Sequence, residues 1–235
     1  MGYAGVATFQ RSSGHSPGSR LGRQDDDWEP DWITYRFVAL LRCDNDACAD
    51  PAVVHGEGRI QPAEWRDPDE GWADTFYPNF VCPCPDLFTI STACPPQVAA
   101  QIRRAFVASW GDYAVCANQV RIALELLLTE RGVARYSIKN GRRNLLTLHS
   151  RIGKFAASAS ARTKHLSDLM KAVKWLGNTG SHSLGDNSGT LARSDVFDAF
   201  DLFQYVLDEL YTKKSAQLKS LARQINRRRD PARKR

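Results

Sequence analysis

The side chains best placed for chemistry are Asn178 and His182, which follow an amphipathic stretch at residues 166–182. Apolar residues at 166, 169, 170, 173 and 176 recur at the three-and-four spacing of one helical face, and the polar pair stands where that face should end. If the helix continues through Gly177, Asn178 and His182 share a face with Lys174 and form a compact polar site. If Gly177 caps the helix, they stand in a loop. A histidine suits acid–base work because its pKa lies near neutral pH, and Lys174 or Arg121 could supply a cation beside it. Arg121 belongs to a second polar group, Asn118, Arg121 and Glu125, at three-and-four spacing on an otherwise apolar helix. An exposed Arg121–Glu125 pair contributes only about 0.3 to 0.5 kcal/mol, whereas buried polar groups must find partners.

The cysteines form the other chemical set. Cys43 and Cys48 bracket a tight polar turn, so two thiolates at a hairpin tip could face one tetrahedral zinc. Cys82 and Cys84 would complete the site, with Cys94 as the substitute if one of them faces away. A structural zinc contributes on the order of 10 kcal/mol to a small segment with little core of its own. Cys116 lies inside a helical stretch and reads as a small core residue.

The elements that must hold these groups follow from pattern and composition. A chain of 235 residues, 43% of them hydrophobic, can bury a sizeable core. It shows neither a membrane span nor a secretory leader, so we expect a cytoplasmic, reduced protein. Residues 1–30 read from composition as a disordered leader, or as a start assigned too far upstream. A strand over 33–43 and a returning strand from 51 make a β segment over 31–95, with 61–80 as a loop. Trp65, Trp72 and Phe76 in that loop could stack on bases or pack the loop. Pro95 and Pro96 open a helical region over 96–214, with helices over 98–110, 112–131, 144–157, 166 onward and 194 onward. The stretch 112–131 is apolar nearly all round and should be central. The expected fold is thus mainly α, an up-and-down bundle of about five helices with a small amino-terminal β zinc-ribbon-like segment.

The net charge of +6 is concentrated in a basic tail over 215–235, where Lys219, Arg223, Arg227, Arg228, Arg229, Arg233, Lys234 and Arg235 stand against one aspartate. Such a tail could track nucleic-acid phosphates without reading sequence, or serve only as a solvated helix end.

R-x-x-L-E at 121–125, G-N-x-x-x-H at 177–182 and a closing L-D-E-L-Y at 207–211 together resemble an uncharacterised bacterial family of unknown function. That family recurs in restriction endonuclease subunits and is placed in the HEPN superfamily, so the resemblance implies a HEPN-like bundle and a defence setting. Many HEPN proteins are metal-independent ribonucleases that use an arginine, a polar residue and a histidine across a dimer. Carried onto this chain, Asn178 takes the polar place, His182 the histidine and Gly177 the arginine. That departure removes the group that would hold the scissile phosphate. The preferred reading is a non-catalytic interaction module, binding nucleic acid, a protein partner or a second copy, in which Asn178 and His182 bond to Arg121 and Glu125. The alternative is a metal-independent ribonuclease that uses His182.

Overall fold

The structure is a computed structural model that describes residues 3–11, 15–43, 49–63, 71–158, 164–181, 191–212 and 224, with the backbone alone for 3–11 and 179–181. The chain divides into two compact units, Met1–Pro85 and Asp86–Arg235.

The first unit is built on a four-stranded antiparallel sheet in the order β1-β2-β3-β4. Its strands are β1 (Tyr3–Arg11), β2 (Thr34–Cys43), β3 (Pro51–Pro62) and β4 (Trp72–Cys82). Between β1 and β2 lie the short helix α1 (Pro17–Gly22) and a 3-10 turn, Pro30–Trp32. Ser16 caps α1 by accepting from the Ser19 amide at 3.3 Å, and the buried Ser19 hydroxyl donates to the Trp32 carbonyl at 2.8 Å. Strict alternation in β2 buries Tyr35, Phe37, Ala39 and Cys43 on one face, opposite Ala52 and Val54 of β3. The Tyr35 hydroxyl satisfies itself by donating to Asp74 Oδ1 at 2.6 Å.

Two expectations are corrected here. Residues 72–80 are not a loop but most of β4, and Phe76 meets Phe37 edge-on at 5.0 Å, so it packs on the sheet. Residues 3–11, read from composition as leader, pair with β2 as β1. Trp65 and Cys48 lie outside the described residues.

The second unit contains α2 (Pro96–Ala108), α3 (Tyr113–Glu130), the hairpin β5 (Tyr136–Lys139) and β6 (Arg142–Leu145), α4 (Leu148–Ser158), α5 (Leu166–Ser181) and α6 (Arg193–Tyr211). Asp112 caps α3 by accepting from the Val115 amide at 2.8 Å. That helix buries Cys116, Ala117, Val120, Ala123, Leu124, Leu127 and Leu128, and it touches α2, α4, α5 and α6. Each buried leucine contributes about 1.5 to 3 kcal/mol, so this helix carries a large share of the unit's stability. Phe88, Phe106 and Phe200 close the far side as an edge-to-face cluster with centroids 5.0 to 6.1 Å apart.

The expectation of a mainly α chain is overturned. Among the described residues six strands in two antiparallel sheets stand beside six α-helices, a mixture of helix and sheet. A hairpin also interrupts the helical succession: residues 144 and 145, expected to begin a helix, lie in β6, and α4 starts at Leu148. Asn140 and Gly141 both have positive φ, the backbone that a tight two-residue hairpin turn requires. No helix among the described residues is long and apolar enough to cross a membrane.

Candidate functional site

The polar group anticipated on α3 and α5 comes together in part. α5 runs past Gly177 to Ser181, so Asn178 sits on the helix and not in a loop. The Arg121 guanidinium on α3 donates through Nη1 to Asn178 Oδ1, and its Nε lies 3.5 Å from Glu125 Oε1. Arg121 is therefore bound on two sides, by a carboxylate one turn along its own helix and by an amide on the next. Gly177 explains why the helices come so close. It is buried, and a Cβ there would stand 2.8 Å from Arg121 Cβ and 3.1 Å from the Ala117 carbonyl oxygen. A side chain at this position would have to push α3 away.

Other members of the predicted group are placed differently. Lys174 lies with its ammonium 4.1 Å from the centroid of the Trp175 ring, a cation–π contact. Asn118 is exposed. His182 lies outside the described residues, as do the basic-tail residues 219, 223, 227–229 and 233–235.

Two of the predicted metal ligands, Cys43 and Cys82, are not brought together. In the sheet register Leu40, Val53 and Cys82 share one face, whereas Cys43 alternates with Ala39 and Phe37 onto the buried opposite face. Cys43 and Cys82 point to opposite sides of the sheet and cannot share one tetrahedral ion. Cys94 belongs to the helical unit, in the turn ahead of α2, where its amide donates to the Ser91 carbonyl at 2.9 Å. Among the described residues no three His, Cys, Asp or Glu side chains group as metal ligands would.

Cys116 is a core thiol, donating to the Ala105 carbonyl at 3.2 Å. Burial pushes it up from 9.0 to about 12, and the Asp112 carboxylate adds to the effect. Its folded value lies above its unfolded one, so the stabilisation is complete below 9.0 and fades as pH rises toward about 12. Two results are expected. Iodoacetamide at pH 8, followed by peptide mapping, modifies exposed Cys82 well before buried Cys116. Urea melts lose stability above pH 9.0, and less steeply in Cys116→Ala.

The sequence reading missed a second polar site. Arg121, Glu125, Arg135 and Arg151 line a cavity of about 300 Å³, whose remaining wall is Leu145, Leu146, Thr147 and Leu148. Arg151 is only 3% exposed. Its Nη2 donates to Thr129 Oγ1 at 2.7 Å and to the Val133 carbonyl at 3.2 Å, while Nε is buried with no partner among the described residues. Desolvation lowers its pKa, opposed by the Glu125 carboxylate and reinforced by Arg135. Two signals could have located this site. Residues 131–167 hold nine Lys or Arg and no acid, and Arg151 interrupts the apolar stripe of Leu148, Ile152 and Phe155.

No curated protein and no solved structure matches the chain. A family model described as a domain of unknown function (DUF8608) matches residues 6–83, which span the sheet unit. A second, described as a domain of unknown function (DUF4145), matches residues 101–228, from within α2 past the end of α6. That match covers more than half of the sequence and takes in Arg121, Gly177 and Asn178, and the chain accordingly belongs to the DUF4145 family.

Proposed function

We propose that the chain is a non-catalytic interaction module for an anionic partner, nucleic acid in the first place, with a HEPN-like helical unit in a bacterial defence or restriction setting. The observation that carries this reading is the seat of Gly177 against Arg121. The position that the resemblance gives to a catalytic arginine has no room for a side chain, and the nearest arginine already holds Asn178 and Glu125. A guanidinium engaged in this way ties α3 to α5 and has little left for a scissile phosphate. The partner's sign follows from the acid-free stretch, where Arg135, Lys139, Arg142 and Arg143 are exposed on and beside the β5–β6 hairpin. Arg143 lies over the Tyr136 ring at 3.7 Å, giving the hairpin one packed cation–aromatic pair. Base-edge recognition plays no part in this reading, so binding is insensitive to sequence and weakens steeply with salt. The HEPN likeness and the defence setting rest on the sequence resemblance, and structural zinc has no role in the reading.

The test is incubation of labelled RNA with the purified chain in the absence of metal, beside His182→Ala. Neither protein is expected to cleave. Asn178→Ala, which strands the Arg121 donor, is expected to lower stability by about 1 to 3 kcal/mol in a urea melt. Cleavage by the wild type and not by His182→Ala overturns the reading in favour of the ribonuclease.

A further inference from the structure

The cavity between α3, the hairpin and α4 is lined by an excess of positive charge. Its titratable lining is three guanidiniums and one carboxylate, a net charge of +2. The positive charge comes from three places along the chain: Arg135 from the segment entering β5, Arg151 from α4, and Arg121 from α3, whose donors are engaged by Asn178 and Glu125 and which adds charge alone. The start of α4 lies on the same wall. Thr147 and Leu148 line the cavity, and the Thr147 hydroxyl caps α4 by accepting from the Ser150 amide at 3.2 Å. The helix dipole thus adds partial positive charge at that end.

The second, independent sign of a ligand is Arg151 itself. A guanidinium that is 97% removed from solvent, with no partner for Nε among the described residues, is an expensive group to keep in a core. Ordinary packing at this position of the apolar stripe would select leucine or methionine. Glu125 offsets part of the cost but is itself paired with Arg121, so the cluster keeps an excess of positive charge facing the cavity.

We propose that this cavity binds a phosphate monoester. Near neutral pH such a group carries close to two negative charges, which balances the lining, and its terminal oxygens suit donors arriving from several directions. A free carboxylate would leave one positive charge uncompensated. Leu145, Leu146 and Leu148 supply an apolar wall beside the charged one, so the organic part of the ester has a surface to rest on. The cavity, at about 300 Å³, lies at the lower end of the range for small-molecule sites.

This site deepens the interaction-module reading by giving the anionic partner a defined point of attachment. Phosphate binding and RNA cleavage are separate measurements, so a failed titration removes the site alone and metal-free cleavage removes that reading alone.

The experiment titrates the full chain with inorganic phosphate and with phenyl phosphate, following the melting temperature and the heat of binding against potassium chloride at matched ionic strength. Phosphate is expected to stabilise beyond chloride, and phenyl phosphate to bind more tightly than phosphate. Arg151→Met removes the donor to Thr129 and Val133 and so tests folding as well as binding. Arg135→Ala and Glu125→Gln therefore carry the test, since neither side chain is buried. Arg135→Ala is expected to weaken phenyl phosphate binding about tenfold, the factor for one charge-assisted hydrogen bond. Glu125→Gln is expected to tighten it, because a like charge leaves the cavity. Competition by a 5′-phosphorylated oligonucleotide but not by its 5′-hydroxyl counterpart assigns the ester to a nucleic-acid end; equal, weak competition by both assigns it to a small molecule. A chloride effect as large as that of phosphate, or unchanged binding in Arg135→Ala, overturns the proposal.

Discussion

Phe106→Ala is expected to lower the stability of the helical unit by about 3 to 5 kcal/mol, the largest single-residue effect in this part of the chain. Phe106 is buried on α2, edge-on to Phe88 at 5.0 Å and to Phe200 at 5.3 Å. Removing the ring leaves a cavity between three elements that are far apart in sequence, and Phe88 and Phe200 lose their edge-to-face partner together. For a unit of this size each kcal/mol shifts the midpoint by about 2 to 4 °C, so the melting temperature should fall by roughly 10 °C. Phe106→Leu should recover most of the loss, because it restores volume without the ring geometry. A fall of less than about 1 kcal/mol for Phe106→Ala would mean that the cluster closes over the gap and is not a fixed part of the core.

Phe88 also shows where the sequence was hard to read. It precedes the prolines taken as the start of the helical region, yet its ring packs on α2 and α6. Nothing local marks such a residue; only its distant partners do. β4 was hidden for a related reason. Pro78 and several aromatics gave 72–80 the look of a loop, but Pro78 stands opposite Gly56, where the register with β3 shifts. At a broken rung a proline's missing donor costs the ladder little. β1 was obscured because its ladder is made by backbone groups, while its composition resembles a leader. The β5–β6 hairpin was missed, although Asn-Gly between β-prone residues is a strong turn signal. The apolar residues after it extended the next helix too far back.

The helices were read more securely where one pattern decided them. Asp112 followed by a long apolar stretch specifies both the start and the central place of α3. Alternation from 34 to 43 specifies β2, and the polar turn after it specifies a returning strand. At the site, the need of buried polar groups for partners suggested that Asn178 and His182 meet the Arg121–Glu125 pair; the Arg121–Asn178 hydrogen bond is there, and His182 lies outside the described residues. Spacing could not show that Arg151 would be buried with a nitrogen that has no partner among the described residues, because that depends on how the hairpin and α4 fold over α3. The placing of Cys43 and Cys82 was hard to read for a similar reason. Counting intervening residues says nothing about which face of a sheet each thiol takes when one ends β2 and the other β4, with β3 between them.

Gly177→Ala is expected to destabilise the helical unit by about 1 to 3 kcal/mol, although alanine is the better helix former by about 1 kcal/mol. The sign is decided by contact. The new methyl would lie 2.8 Å from Arg121 Cβ and 3.1 Å from a backbone oxygen of α3, so neither a rotamer change nor a small side-chain movement relieves it. The helices must separate, which also stretches the Arg121–Asn178 hydrogen bond. Gly177→Arg should cost more, toward 3 kcal/mol or beyond, because a long charged side chain has to leave the interface and takes α5 with it. Urea melts of the two variants beside wild type measure these losses. The same arginine variant bears on function. If the glycine were merely a lost catalytic residue, restoring arginine should leave the fold intact and bring back metal-free RNA cleavage. If the glycine is the seat of the α3–α5 contact, the arginine variant should melt early and cleave nothing. An undisturbed melting curve for Gly177→Ala would mean that the close approach of α3 and α5 is not what excludes a side chain there.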